Sequence, residues 1–455
     1  MKMRLNMDVA AGGILVLLIV LIGLVILLGA QAGIRVTTDL PKDGVITPYQ
    51  TIKLTFSEPI LFEPASSAIW LDPIWDGYLE YVDSRTIQYV PVKPFELNTV
   101  YKLTITPEVL TTSGHALKKI HSWEFKVRDP LVAYLVSSEK ESSIWVVDLM
   151  GNPPHRLTDE NVKINSFDIA QNGEFIVFTT TRVNSEGGID LWRVNRDGTD
   201  AEILLDCGFD LCTTPAISPN GLRIAYSREA AGPTPDLPYG SPRIWVLDLE
   251  SGQNSPVYEN QETLGYNPSW SPDSNKLASF DGLADQIRVL DLKENKQYVF
   301  PSNTGGPITW SPDSTKILFT NVVQTEDGLR TQVYIADLLL NKSQPLLGEN
   351  DDLDHAYYSL AWSSVEERAV LGFRISEDQP MQILWLFDPV LLEGIVIANQ
   401  EEYSYNSPQW DPWGNSLIFQ RFKLSGAFNP EIGLWRQGFN EPVILTPGLM
   451  PHWLP

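Results

Sequence analysis

Hydrophobic and polar positions follow one another along this chain in three regimes. From Val9 to Ala30, twenty-two residues carry no charged or hydrogen-bonding side chain. At 1.5 Å of rise per residue, that run forms a helix of roughly 33 Å, enough to cross the hydrocarbon core of a bilayer. From residue 34 to about 128 the pattern shifts to short stretches of period two: Ile52-Lys-Leu-Thr-Phe56, Thr86-Ile-Gln-Tyr-Val90 and Tyr101-Lys-Leu-Thr-Ile105. Apolar side chains at alternate positions describe half-buried strands. Pro59, Pro64, Pro73, Pro91, Pro94 and Pro107 exclude long helices here, and Pro41-Lys-Asp-Gly44 reads as a turn. A segment of this size and pattern predicts an antiparallel β-sandwich.

The third regime, from Leu131 onward, is a repeat. One element pairs an aromatic or aliphatic strand end with a tight turn: Ala216-Ile-Ser-Pro-Asn-Gly221, Trp270-Ser-Pro-Asp-Ser274, Trp310-Ser-Pro-Asp-Ser314, Trp410-Asp-Pro-Trp-Gly414. Aligned on Ile169, Ile217, Trp270, Trp310, Trp362, Trp410 and Trp453, successive copies are 40 to 53 residues apart. A second element recurs seven times, including Ile144-Trp-Val-Val-Asp148, Ile244-Trp-Val-Leu-Asp248 and Leu384-Trp-Leu-Phe-Asp388. With a strand such as Ile317-Leu-Phe319 between them and a short apolar piece after, each period holds four strands, one propeller blade. The first element is missing before Leu131 and appears as a surplus copy, Pro451-His-Trp-Leu-Pro455, at the end. That strand therefore completes the first blade and closes a seven-bladed ring, which removes an unpaired edge.

Charge changes the picture in one respect. The formal net charge of −24 argues against nucleic acid, whose phosphates attract basic surfaces. It argues equally against docking of the folded body on anionic lipid. Lys2 and Arg4 precede the apolar run, so the short tail is expected inside and the bulk of the chain outside. A retained signal anchor fits the length of the run better than a cleavable signal peptide, although Ala30-Gln31-Ala32 has the form of a cleavage site. The expected organisation is a membrane anchor over 1–33, a sandwich domain over 34–129 and a propeller over 130–455. The expected location is the cell membrane, single-pass, with an extracytoplasmic body.

Two resemblances are carried by these motifs. Pro41-Lys-Asp-Gly44, Lys53-Leu-Thr-Phe-Ser-Glu-Pro-Ile60, Arg85-Thr-Ile-Gln-Tyr-Val-Pro91, Thr99-Val-Tyr-Lys-Leu-Thr-Ile105 and His121-Ser-Trp-Glu-Phe125 together resemble a bacterial Ig-like domain. That resemblance implies a spacer or contact module. The Trp-Ser-Pro-Asp-Ser and Ile-Trp-Val-Leu-Asp-Leu pattern is similar to TolB-type, WD-repeat-like propeller repeats, found also in the prolyl oligopeptidase family. TolB-type proteins carry an α/β domain before the propeller and usually six blades, so a TolB role does not transfer to this chain. The fold class expected is all-β: an N-terminal transmembrane helix, an Ig-like sandwich and a closed seven-bladed propeller.

Candidate chemistry is sparse. The sequence holds no Gly-x-Ser-x-Gly elbow, no Cys-x-x-Cys pair and no His-Glu-x-x-His run, so no catalytic residue, cofactor site or transition-metal site is assigned. Asp273 and Asp313 of the repeated Ser-Pro-Asp are read as turn caps. The Ser57-Glu58-Pro59 loop and the acidic loop Glu349–Asp354 are read as solvated loops rather than metal sites. Cys207 and Cys212 are expected to form a disulfide within one loop. Connections after the first and third strands of each blade are short and uniform. Those after the second and fourth strands vary: Arg228 to Pro242, Asn321 to Thr331, Arg421 to Glu431, Asp206 to Thr214 and Glu349 to Tyr358. All of these fall on one face, and variable loops on a rigid scaffold are where binding resides. The expectation is a non-catalytic binding or scaffold protein of the cell envelope, with a protein or cell-wall polymer as partner. An envelope lyase or glycosidase using carboxylates in the central pocket is the alternative. The chain enters the first blade from the uniform face, so the variable face is expected to point away from the membrane.

Overall fold

In a computed structural model the described residues are 15–22, 34–138, 141–159, 162–181, 187–234, 236–260, 263–325, 328–348, 355–376 and 379–455. Of the expected membrane span, only 15–22 is described. It is helical, and each of its eight apolar side chains is exposed. Among the described residues no helix is long and apolar enough to cross a membrane, and the remainder of Val9–Ala30 lies outside them. The chain divides into two compact units, Met1–Arg128 and Asp129–Pro455.

The first unit is a sandwich of two four-stranded sheets. One runs Val36–Thr38, Ile52–Phe56, Thr86–Pro91, Gly77–Asp83, and the other Val45–Ile46, His121–Val127, Val100–Ile105, Ile69–Asp72. The period-two pattern is borne directly in burial: along Ile52–Phe56 the sequence Ile-Lys-Leu-Thr-Phe alternates buried and exposed. Phe95, Tyr101 and Phe125 fill the space between the sheets, with ring centroids 4.9 to 5.5 Å apart. Pro64 does not prevent a short helix, Phe62–Ser67, because proline is tolerated in a first turn that has no internal donors to lose.

The second unit repeats a four-stranded antiparallel sheet seven times among the described residues. Blade 4 is the plainest copy: Tyr266–Trp270 innermost, then Lys276–Asp281, Gln286–Asp291 and Lys296–Pro301 outermost. Blades 2 and 3 are additionally linked by a parallel bridge between Ile189 and Leu211. The C-terminal strand Leu449–Leu454 pairs antiparallel with Leu131–Ser137, setting Trp453 opposite Val132, and is the innermost strand of blade 1. The ring is stitched from blade to blade. The indole N–H of Trp270, Trp310, Trp410 and Trp453 each donates to a carbonyl on the innermost strand of the preceding blade: Ala216, Ser269, Ala361 and Gln409, at 2.9 to 3.3 Å. Trp362 departs from this ladder. Its backbone N–H donates to Thr309 Oγ1 at 2.8 Å.

The Ser-Pro-Asp-Ser turns are spent on the same stitching. Asp273 Oδ1 accepts the Asn275 N–H, and Asp313 Oδ1 the Thr315 N–H, each at 3.0 Å. Ser274 and Ser314 sit at φ near +60°, and their hydroxyls accept the N–H of Asn220 and Asp273 in the preceding blade.

Candidate functional site

Two regions could carry function: the inner wall of the ring and the face of variable connections. On the inner wall, the residue before each aligned position comes from the same level of every blade: Asp168, Ala216, Ser269, Thr309, Ala361, Gln409 and His452. Most of these side chains bond across to the next blade. Asp168 Oδ2 accepts the Ile217 N–H at 2.7 Å, Ser269 Oγ donates to Ile308 O at 3.1 Å, and Gln409 Nε2 lies 3.4 Å from His452 Nδ1. Beside Thr309, Ala361 and Gln409, between blades 5, 6 and 7, opens a cavity of about 740 Å³ whose lining, among the described residues, is neutral and includes Tyr358, Asn406 and Ser407.

Asp168 is the one carboxyl of that inner level. It stands 3.9 Å from His452 Nδ1, and the His452 ring packs 4.5 Å from that of Phe167. Burial pushes the Asp168 carboxyl up to about 6, against the pull of N–H bonds from Ile217 and Ile169. Burial also pushes the His452 imidazole down to about 4. Near pH 5, therefore, both groups favour their neutral forms. Of the seven side chains of this level only Asp168 is a carboxyl, so the paired carboxylates, roughly 5 to 9.5 Å apart, that most glycoside hydrolases use do not both come from it.

A sequence signal for this wall went unread: the dipeptides Thr214-Pro215, Asn267-Pro268, Ser407-Pro408 and Met450-Pro451 recur just before the aligned positions. Thr214, Asn267, Ser407 and Met450 all adopt φ between +47° and +53°. Each lies where the innermost strand slips register against its neighbour. These are β-bulges, which bend the strand and re-aim its side chains.

On the other face, the boundaries of several expected loops need correction. Asn321 to Thr331 is not a loop but a long hairpin, Lys316–Thr325 paired with Gly328–Asp337, because Val322-Val323-Gln324-Thr325 continues the strand pattern. Likewise Leu211–Thr214 belongs to a strand, Arg421–Lys423 ends another, and Ala356–Tyr358 begins a third. The acidic segment Glu349–Asp354 lies outside the described residues.

The connection over 206–210 and the one over 230–242 form the best-defined part of this face. Cys207 and Cys212 are joined by a disulfide, with Cα atoms 6.4 Å apart and both side chains buried. Gly208, at φ +66°, turns the loop back, and Cys207 N–H is held by Asp190 Oδ1 at 2.8 Å. Closing so short a loop contributes about 2 kcal/mol through the unfolded chain. At its tip Phe209 is 67% exposed. Asp210 ties the two connections together: its carboxylate takes the Arg228 guanidinium at 2.7 Å and the Ala231 N–H at 2.8 Å. Consecutive Gly187 and Gly188 pack against the Tyr239 hydroxyl and Gly208 O, so close that a Cβ would not fit. The two connections therefore stand side by side, with Leu237 and Tyr239 also exposed.

Elsewhere, Glu58 is not idle. Its carboxylate is held below its usual range by bonds from His115, at 2.9 Å, and from Ser113. Among the described residues no group of three or more His, Cys, Asp or Glu converges as a metal site.

Comparison with known proteins places one segment in a family. Residues 31–127 match the bacterial Ig-like domain. Among solved structures, the chain is similar to TolB from Acinetobacter baumannii, at 16% identity over 71% of this chain and 82% of that one, TM-score 0.43. It is similar to the β-propeller domain of the Trilobed protease from Pyrococcus furiosus, at 12% identity over 82% and 96%, TM-score 0.48. It is also similar to an oligogalacturonate lyase solved in complex with manganese, at 12% identity over 70% and 96%, TM-score 0.46.

Proposed function

We propose that this chain is a non-catalytic binding or scaffold protein of the cell envelope. The apolar N-terminal segment anchors it in the membrane, and the variable face of the propeller captures a protein or cell-wall polymer. The observation that carries this reading is Phe209, held out at 67% exposure on a loop closed by a disulfide and braced through Asp210 to the proline-rich connection beside it. An exposed aromatic on a pre-ordered loop loses little conformational freedom on binding, which is the property of an interaction anchor. The Ser-Pro-Asp turns of the opposite face, in contrast, spend their polar atoms inside the ring.

Replacing 230–242 by a short Gly-Ser turn should leave the propeller's melting transition in place and abolish partner capture from native membranes. Capture that survives this exchange, and is lost instead when the Ser-Pro-Asp turns are exchanged, would overturn the reading. The alternative, a glycan-active enzyme working from the central channel, is favoured only by the Asp168–His452 pair. It requires Asp168→Asn to abolish turnover of an envelope glycan, whereas a binding protein retains partner capture in that variant.

A further inference from the structure

Six of the seven innermost strands have five to eight residues, whereas that of blade 5 has two, Thr309–Trp310. The stretch before it, 302–308, forms no strand and is held against its neighbours instead. Gly305 lies on the Tyr266 ring of blade 4 and Gly306 on the Thr320 hydroxyl, each too close for a Cβ. Thr304 Oγ1 donates to Thr320 O at 2.7 Å. At the same place the stitching of the ring changes, since Trp362 reaches blade 5 through its backbone N–H and Thr309 Oγ1. The cavity of about 740 Å³ opens at this gap.

The cavity also gathers polar atoms that the fold leaves unused. Ser359, Gln382 and Asn406 line it, and Ser359 Oγ, Gln382 Oε1 and Asn406 Oδ1 are buried with no hydrogen-bond partner among the described residues. Buried polar groups are ordinarily paired, so three around one cavity mark a place where an outside partner completes the bonding. Tyr358 adds an aromatic ring that is 41% exposed. The Arg374 guanidinium lies over that ring, 5.0 Å from its centroid, and is not part of the lining.

We propose that this cavity binds a neutral oligosaccharide. Among the described residues its lining carries no charge, so neither an acidic nor a basic ligand gains a counter-charge there. The volume lies within the roughly 300–1,000 Å³ of ordinary ligand sites, which pair an aromatic surface with a few placed polar groups. The amides of Gln382 and Asn406 each present a donor beside an acceptor, and a hydroxyl does both, so neighbouring sugar hydroxyls match them. All three unpaired atoms are oxygens that accept. A sugar ring brings several hydroxyl donors within one residue, whereas a peptide residue brings one backbone N–H, and this favours the sugar. The assignment does not depend on the Phe209 loop, which belongs to blades 2 and 3.

The test is an array that displays neutral oligosaccharides, acidic oligosaccharides and uncharged peptides, probed with the full chain in detergent micelles. Titration calorimetry then follows the molecule retained. A neutral oligosaccharide is expected, and Gln382→Leu and Tyr358→Ala should each weaken its binding at least about tenfold. Tyr358 is exposed, so Tyr358→Ala should leave the melting transition in place. Phe209→Ala should leave glycan binding unchanged, which separates this cavity from the outer loops. No neutral oligosaccharide retained, or one whose affinity is indifferent to both cavity substitutions, would overturn the proposal. So would retention of acidic glycans alone or of peptides alone, or binding that only Phe209→Ala weakens.

Discussion

Deleting residues 448–455 is expected to cost the propeller most of its stability. The lost strand carries Trp453 and Leu454, both buried, and every backbone pairing between Leu449–Leu454 and Leu131–Ser137. It also carries the indole bond to Gln409 O and the bonds that Arg196 makes to the carbonyls of Leu454 and Pro455. Trp and Leu truncations alone cost roughly 3–5 and 2–5 kcal/mol, so the deletion approaches the whole stability of an ordinary domain. The loss is not local, because an opened ring exposes Leu131–Ser137 of blade 1 and the inner strands of blades 2 and 7 at once. Calorimetry of the full chain should show the propeller transition broadened and shifted far down, with the transition of the Ig-like unit in place. A propeller transition that does not move would mean that closure contributes little.

The second large effect concerns pH. The Asp168 carboxyl is raised in the folded protein from 3.8 to about 6, so its stabilising contribution is present below about pH 4 and is lost as pH rises through about 6. The His452 imidazole is lowered from 6.5 to about 4, so its neutral form favours the fold above about pH 6.5 and is opposed as pH falls toward 4. Each displacement is equivalent to as much as about 3 kcal/mol, and the two slopes oppose each other between pH 4 and 6.5. Wild-type stability should therefore be nearly flat across that window. Asp168→Asn keeps the acceptor for the Ile217 N–H and leaves the histidine alone, so this variant should gain stability at pH 7.5 and lose it progressively below pH 6.5. His452→Gln should do the reverse, losing stability as pH rises from 4 to 6. Denaturant titrations of the three proteins at pH 4, 5.5 and 7.5 check this. Parallel pH profiles for all three would contradict the assignment.

The architecture was legible because repetition amplifies a weak signal. One Ile-Trp-Val-Leu-Asp is only a strand, but seven copies of that element with a surplus strand at the end imply both the blade count and the closure. The details that escaped depend on three dimensions. The Asn321 to Thr331 segment contains Gln324, Thr325, Glu326, Asp327 and Gly328, residues that read as a loop, yet the hairpin carries its pairing out to Thr325 and Gly328. The bulges at Thr214, Asn267, Ser407 and Met450 were visible as a recurring residue before proline, a position that would ordinarily be read as extended. The Asp168–His452 contact joins residues from opposite ends of the repeat array, and only ring closure brings them together. The disulfide was readable from the expected export and the intervening Gly208, whereas its effect, the presentation of Phe209 beside 230–242, was not.

Photocrosslinking from the two faces tests most directly whether the variable face is the binding surface. A photoreactive side chain is placed at Leu237 on the variable face, or at Lys293 in a uniform-face turn, of the full chain in native membranes, and adducts are read by mass spectrometry. Both positions are exposed, so the substitutions themselves are tolerated. The expected result is a discrete heterologous adduct from Leu237 and none from Lys293. An adduct from Lys293 with none from Leu237 would contradict the assignment of the binding face, and no adduct from either would contradict a binding role for the propeller faces.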